Sequence, residues 1–211
     1  MPSNDPRLFP GRFVLEWAIR ETEELGELLR SRPDPDRLRL LATPVALGAI
    51  TNYRMALEHV AQDVARAACP DARPERVSFP VAIDPYAFRS MMVTRFPGLR
   101  VNQPSLYGLF RTAQGYRPGS DRWLPVLHGL WNRTIPIEVR SEGGAGDGQA
   151  SGGPAEAAGE ATDILFAGEL EPLEDLLRRI GARETDLVDR FDEALRRMPV
   201  DPERGDRRPK R

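Results

Sequence analysis

The chain carries one cysteine and two histidines among its 211 residues, and each scarcity closes a class of chemistry. A lone Cys69 excludes an intrachain disulfide framework and a cysteine zinc cluster, which leaves an ordinary hydrophobic core in a reducing compartment to hold the fold. His59 and His128 are far apart in sequence and neither belongs to an HExxH pattern, so three or four converging metal ligands are not expected. No GxxxxGK[ST], GxGxxG or GxSxG occurs, and the glycines from Gly143 to Gly153 precede no helix start able to cradle a phosphate. No cofactor is therefore expected. Apolar runs never approach the roughly 18 residues that read as a membrane span. The opening MPSNDPRLFPGR places Pro and Asp where a signal peptide needs a charged start and an apolar stretch. The expectation is a cytoplasmic protein with no membrane association.

An excess of either charge is missing too. Thirty basic and 32 acidic residues give a formal charge of -2, so no net field gathers a polyanion and RNA contact would need a local patch. All basic side chains but Lys210 are Arg, which reflects codon bias as much as bidentate phosphate recognition. With 40% hydrophobic and 29% charged residues, the length suits one domain with one core.

What is present is helical periodicity. From Arg12 to Arg30, Phe13, Trp17, Leu25, Leu28 and Leu29 recur at helical spacing while Glu16, Glu21, Glu23, Glu24 and Glu27 are offset toward solvent. The run from Leu38 to Ala42 fits an edge strand or a helix start, and Thr43-Pro44 then supplies an N-cap and a first-turn Pro. A long helix is expected from Pro44 to about Ala68, with Leu47, Ile50, Leu57, Val60 and Val64 on its apolar side and Cys69-Pro70 as its stop. Val77 to Ile83 reads as extended. Helices follow from Pro85 with Phe88, Met91 and Met92, from Pro104 with Leu106, Leu109 and Phe110, and from Arg122 to Trp131. Trp17, Trp123 and Trp131 are expected as core anchors.

The stretch SEGGAGDGQASGGPAEAAGEAT, residues 141–162, lacks bulky apolar side chains and cannot offset the entropy of ordering. Beyond it, Ile164 to Ala167 is a strand candidate able to pair around Val139. Pro172 to Ile180 and Glu184 to Met198 read as two further helices, the first with Glu169, Glu171, Glu174 and Asp175 complementing its dipole. The stripe Leu187, Val188, Phe191 and Leu195 must be covered by something, which makes the last helix a candidate dimer or partner element. The expected architecture is a mostly α, single-domain helical bundle over 7–198 with a few short strands. It is interrupted by a disordered Gly/Ala-rich loop at 141–162 and followed by a disordered charged tail at 199–211.

Arg54-Met55-Ala56-Leu57-Glu58-His59-Val60-Ala61-Gln62-Asp63-Val64-Ala65, then Phe79-Pro80-Val81, Gln103-Pro104 and Leu127-His128-Gly129-Leu130-Trp131-Asn132 stand in that order along the chain. This order resembles an uncharacterised bacterial HEPN-like family (higher eukaryote and prokaryote nucleotide-binding), with its RSALDHLA-type core helix, its FPI and QP steps and its LxN helix end. Where that family carries Lys-His-Arg, this chain reads Arg133-Thr134-Ile135. The resemblance implies a helical bundle that dimerises, and ribonucleases of the superfamily use an Arg and a His with four to six residues between them. The missing basic trio argues against cleavage at the usual place.

Arg54 and His59 satisfy that spacing, as do Arg122 and His128, but in an Arg-rich chain such matches arise by chance. At about 100° per residue, positions five apart point roughly 140° from each other, so Arg54 and His59 diverge on a straight helix. Arg54 with Glu58, and His59 with Asp63, can instead pair along the surface. Asn52, Glu58 and Asp63 are the binding candidates, and Asn52, His59 and Asp63 share nearly one face where a metal would have to sit. His128, between Leu127 and Leu130, reads as a packed histidine. The reading is a non-catalytic binding or dimerising module, with a homo-oligomer or another protein as partner and RNA as a further candidate. The alternative is a metal-independent endoribonuclease with Arg54 and His59 as its catalytic pair.

Overall fold

The structure is a computed structural model that describes residues 10–31, 34–116, 121–132, 137–141, 162–166 and 172–198. The described chain is mostly helical. Helix α1 (Pro10–Arg30) lies along α2 (Pro35–Ala68), and α3 (Pro85–Arg95), α4 (Leu99–Asn102), α5 (Pro104–Thr112) and α6 (Trp123–Trp131) follow. Helix α7 (Leu173–Arg196) packs against α1, α2, α5 and α6. Strands β1 (Ile137–Ser141) and β2 (Thr162–Phe166) form an antiparallel pair with Val139 opposite Ile164, within the segment expected to pair around Val139. Ser141 and Thr162, expected inside the loop, are strand ends; residues 142–161 and the tail 199–211 lie outside the described residues.

Helix α2 begins nine residues before the expected start at Pro44. Asp34 caps it by accepting the Arg37 N–H, Pro35 takes the first turn, and Pro44 is carried inside the helix. An internal Pro costs about 3 kcal/mol through a lost hydrogen bond and a clash with the preceding turn. Leu38, Ala42, Ala46 and Ala49 are all buried at helical spacing on both sides of Pro44, and this continuous packed stripe offsets the cost. Leu40, whose carbonyl loses its helical donor, is on the exposed side where water can satisfy it.

The segments expected as two helices around Gly181 are one. Gly181 does not break α7; it admits Tyr53, whose hydroxyl would lie 2.5 Å from a Cβ at that position. The stripe Leu187, Val188 and Phe191 is covered by the chain itself, which removes the reason for assigning it to a partner. Phe110 anchors this core, its ring 4.7 Å from Phe96, 4.8 Å from Phe191 and 5.1 Å from Phe79, each such pair adding about 0.5–1.5 kcal/mol beyond burial. Of the three expected Trp anchors only Trp123 is buried. Trp17 and Trp131 are exposed, and so is Phe13, which stacks edge-on against Trp17 outside the core.

Candidate functional site

The extended run after α2 brings polar side chains inward. Phe79, Pro80 and Ala82 are not part of the β1–β2 sheet, so their backbone groups need other partners once buried. Glu58 accepts the Phe79 N–H at 3.0 Å, and an Arg54 Nη2 donates to the Phe79 carbonyl at 3.3 Å. Gln114, fully buried, accepts the Ala82 N–H at 2.9 Å and donates to the Pro80 carbonyl at 3.0 Å and to Phe110 at 2.9 Å. Arg95 donates to the Ser78 carbonyl. Two residues of α2, one of α3 and one that follows α5 thus stand in for a missing neighbouring strand.

Arg54 and Glu58, four apart on one face of α2, form an ion pair in which Arg54 is buried and Glu58 half-buried. Arg54 is only 4% exposed, and its guanidinium lies 5.5 Å from the centre of the Trp131 ring on α6. Such a cation over an indole is favourable by about 0.5–2 kcal/mol. His128, one turn back on α6, stands 6.3 Å from that ring, and its Nε2 is 2.9 Å from Asn132 Nδ2. From α7 comes Glu184, wholly buried, with neither carboxyl oxygen hydrogen-bonded among the described residues. The Arg54 Nε and Nη1 and the His128 Nδ1 are likewise buried without a hydrogen bond.

Burial sets the protonation of this cluster. It pushes the Glu184 carboxyl well above its usual range, with the Arg54 charge pulling the other way. Burial also raises Glu58, opposed by Arg54 and by the Phe79 N–H. It lowers Arg54 from its ordinary value, opposed by Glu58 and Glu184. His128 is lowered first by burial and then by the Arg54 charge, which keeps the imidazole neutral. Tyr53, beside Glu184 and hydrogen-bonded to Thr22 at 3.0 Å, is pushed up to about 12 by burial.

The structure separates the pairs that spacing suggested. Arg54 faces Phe79, α6 and α7, whereas the His59 side chain lies toward α1, 3.3 Å from where a Cβ on Gly11 would stand. The histidine that Arg54 does sense is His128 of another helix. Arg122, the spacing partner of His128, is an exposed residue at the α6 N-cap. Asn52 donates to Glu21 of α1 at 2.7 Å. Asp63 pairs with Arg66 at 2.5 Å instead of with His59. Asn52, His59 and Asp63 therefore do not converge, and among the described residues no group of three or more His, Cys, Asp or Glu could hold a metal ion. Glu184 and Gln114 were not foreseen. Glu184 had a signal: it falls on the spacing of Ile180, Gly181, Leu187, Val188 and Phe191, a charged residue in a core stripe.

Searches against protein-family models, curated proteins and solved structures match this chain to none of them. None of the described helices is long and apolar enough to cross a membrane. Chemically, the cluster offers a buried cation, an imidazole and a carboxyl whose pKa is raised by burial. A phosphate group would have to displace Trp131 to reach the cation.

Proposed function

We propose that the chain is a non-catalytic binding or dimerising module of HEPN-like type, working in the bacterial cytoplasm. The observation that carries this reading is the engagement of Arg54. The Arg of the candidate catalytic pair is 4% exposed, ion-paired to Glu58, bonded to the Phe79 carbonyl and set against the Trp131 ring. A residue so engaged organises the frame, and a catalytic cation has to be reachable by the developing charge.

The second reading, a metal-independent endoribonuclease, draws on the nearness of Arg54 to His128 and would need Trp131 to swing aside. A fluorescein-labelled RNA incubated in EDTA with the full chain separates the two. The expected result is no cleavage above buffer for wild type, His59→Ala, His128→Ala and Trp131→Ala alike. Cleavage by wild type that disappears in His128→Ala, or that is gained in Trp131→Ala, would overturn the non-catalytic reading.

A further inference from the structure

Between Asp84 and Asp121 the chain contains five Arg and not one Asp or Glu, although acids are as common as bases in the whole sequence. Helices α3, α4 and α5 fall in this interval. Their outer face carries a hollow of about 390 Å³ with a floor of Met92 and Phe96 and walls that include Val93, Val101 and Tyr107. Arg89 and Arg100 stand on its rim, both exposed, and among the described residues neither pairs with a carboxylate. Arg100 instead lies 5.9 Å from the Tyr107 ring. Val93 and Val101 are 74% and 83% exposed. A second open hollow, lined by Tyr86, Ser90 and Thr94, shares Arg89 and Val93 with the first. Arg89 and Val93, four apart on α3, therefore form a ridge with a groove on either side.

We infer that this face docks an acidic amphipathic helix of a partner protein, an inference that rests on the binding-module reading and names its partner class. Two grooves flanking a ridge at i, i+4 spacing are the surface into which a second helix sets its own ridges. Helix α3 spans 11 residues, about 16 Å, enough for roughly three turns of a partner. Apolar side chains of that partner fill the floor over Met92 and Phe96, and its carboxylates meet Arg89 and Arg100. The absence of acids throughout the interval removes the repulsion that would turn such a partner away, which is how charge selects partners. A lipid surface is a poorer fit. The site is concave, and two exposed cations at about 1 kcal/mol each would hold a protein weakly on anionic lipid. Nucleic acid is poorer still, because an apolar floor offers nothing to phosphates, whose neutralisation by many cations carries such binding.

The test is a phage-displayed library of random peptides of about 16 residues, long enough for four helical turns. It is panned on the full chain with a Val93→Asp/Val101→Asp variant as counter-selection. Enrichment of peptides with net negative charge and apolar residues at i, i+4 and i+7 is expected. The best of them, synthesised with a fluorescein label, should lose at least about tenfold in affinity for Arg89→Glu/Arg100→Glu and weaken with added salt. The unfolding midpoint of that variant should stay close to the wild-type value, since both side chains are exposed, neither pairs with a carboxylate among the described residues, and the Arg100–Tyr107 contact is worth only about 0.5–1 kcal/mol at an exposed site. No enrichment, enrichment of neutral or basic peptides, or equal binding to the Val93→Asp/Val101→Asp variant would overturn the inference. So would phosphatidylglycerol vesicles or a labelled RNA binding through Arg89 and Arg100 in place of the peptide. RNA cleavage with acidic-peptide binding intact would sink the non-catalytic reading alone, and no cleavage with no acidic peptide would sink the docking inference alone.

Discussion

The interior around Arg54 and the outer face of α3 to α5 use the same residue type in opposite ways. Inside, the Arg54 guanidinium is set against two carboxyls, a carbonyl and an indole, and none of it is offered to solvent. Outside, Arg89 and Arg100 rim an apolar hollow, and among the described residues no carboxylate pairs with them. The difference separates frame from surface. Arg54 and Glu58 hold α2 to the extended Phe79 segment, with α6 and α7 packed beside them, and the outer face leaves Arg89 and Arg100 exposed.

The comparison is broken most sharply at Arg54. Arg54→Met keeps much of the apolar stem but leaves the half-buried Glu58 without its cation and the Phe79 carbonyl without its donor. Removing one partner of a buried pair costs about 3–5 kcal/mol, whereas exposed charges away from special features stay within about 0.5 kcal/mol. Urea unfolding should therefore show a large loss for Arg54→Met and almost none for Arg89→Glu. Equal small losses would mean that Arg54 is not part of the frame.

Much of the bundle was legible because helices announce themselves by period and cap. The Asp84-Pro85 start and the Cys69-Pro70 stop are local signals, and the structure has both. Pro44 and Gly181 misled for one shared reason. Both disfavour a helix locally, and both are overridden by packing between distant segments, Leu38 to Ala49 along α1 in one case and Tyr53 in the other. The site was legible only in part. Arg54 with Glu58 follows from four-residue spacing, but the meeting of Arg54 with His128 and Glu184 depends on three helices assembling, and no spacing in the chain encodes it.

A smaller effect sharpens the interior half of the comparison. Glu184 has a folded pKa above its unfolded value of about 4.5, so between those two values the native state binds more protons than the unfolded chain. Stability contributed by this group therefore falls as pH rises from about 4.5 through the folded value, by up to about 1.4 kcal/mol per pH unit. Glu58 and Asp63 are shifted in the same direction and add to the slope. Glu184→Gln removes the dominant titration while keeping shape. Its unfolding midpoint should match wild type in acid and exceed it increasingly toward neutral pH. Parallel pH profiles for the two proteins would show that Glu184 is paired in solution.

The smallest expected effect tests whether the outer face is a local unit built on a sound frame. Asp84 accepts the Tyr86 N–H at 2.7 Å and the Ala87 N–H at 2.8 Å, satisfying two donors that the first turn of α3 would otherwise leave open. Asp84→Ala should cost about 1 kcal/mol, and Asp84→Asn, which keeps an acceptor, much less. The loss has a location as well as a size. Amide exchange should accelerate in the first turn of α3, beneath the ridge of Arg89 and Val93, while the α2 and α7 amides around Arg54 keep their protection. Acceleration spread evenly over α2 and α7 would mean that the open face and the charged interior unfold as one unit, and the division between surface and frame would have no energetic basis.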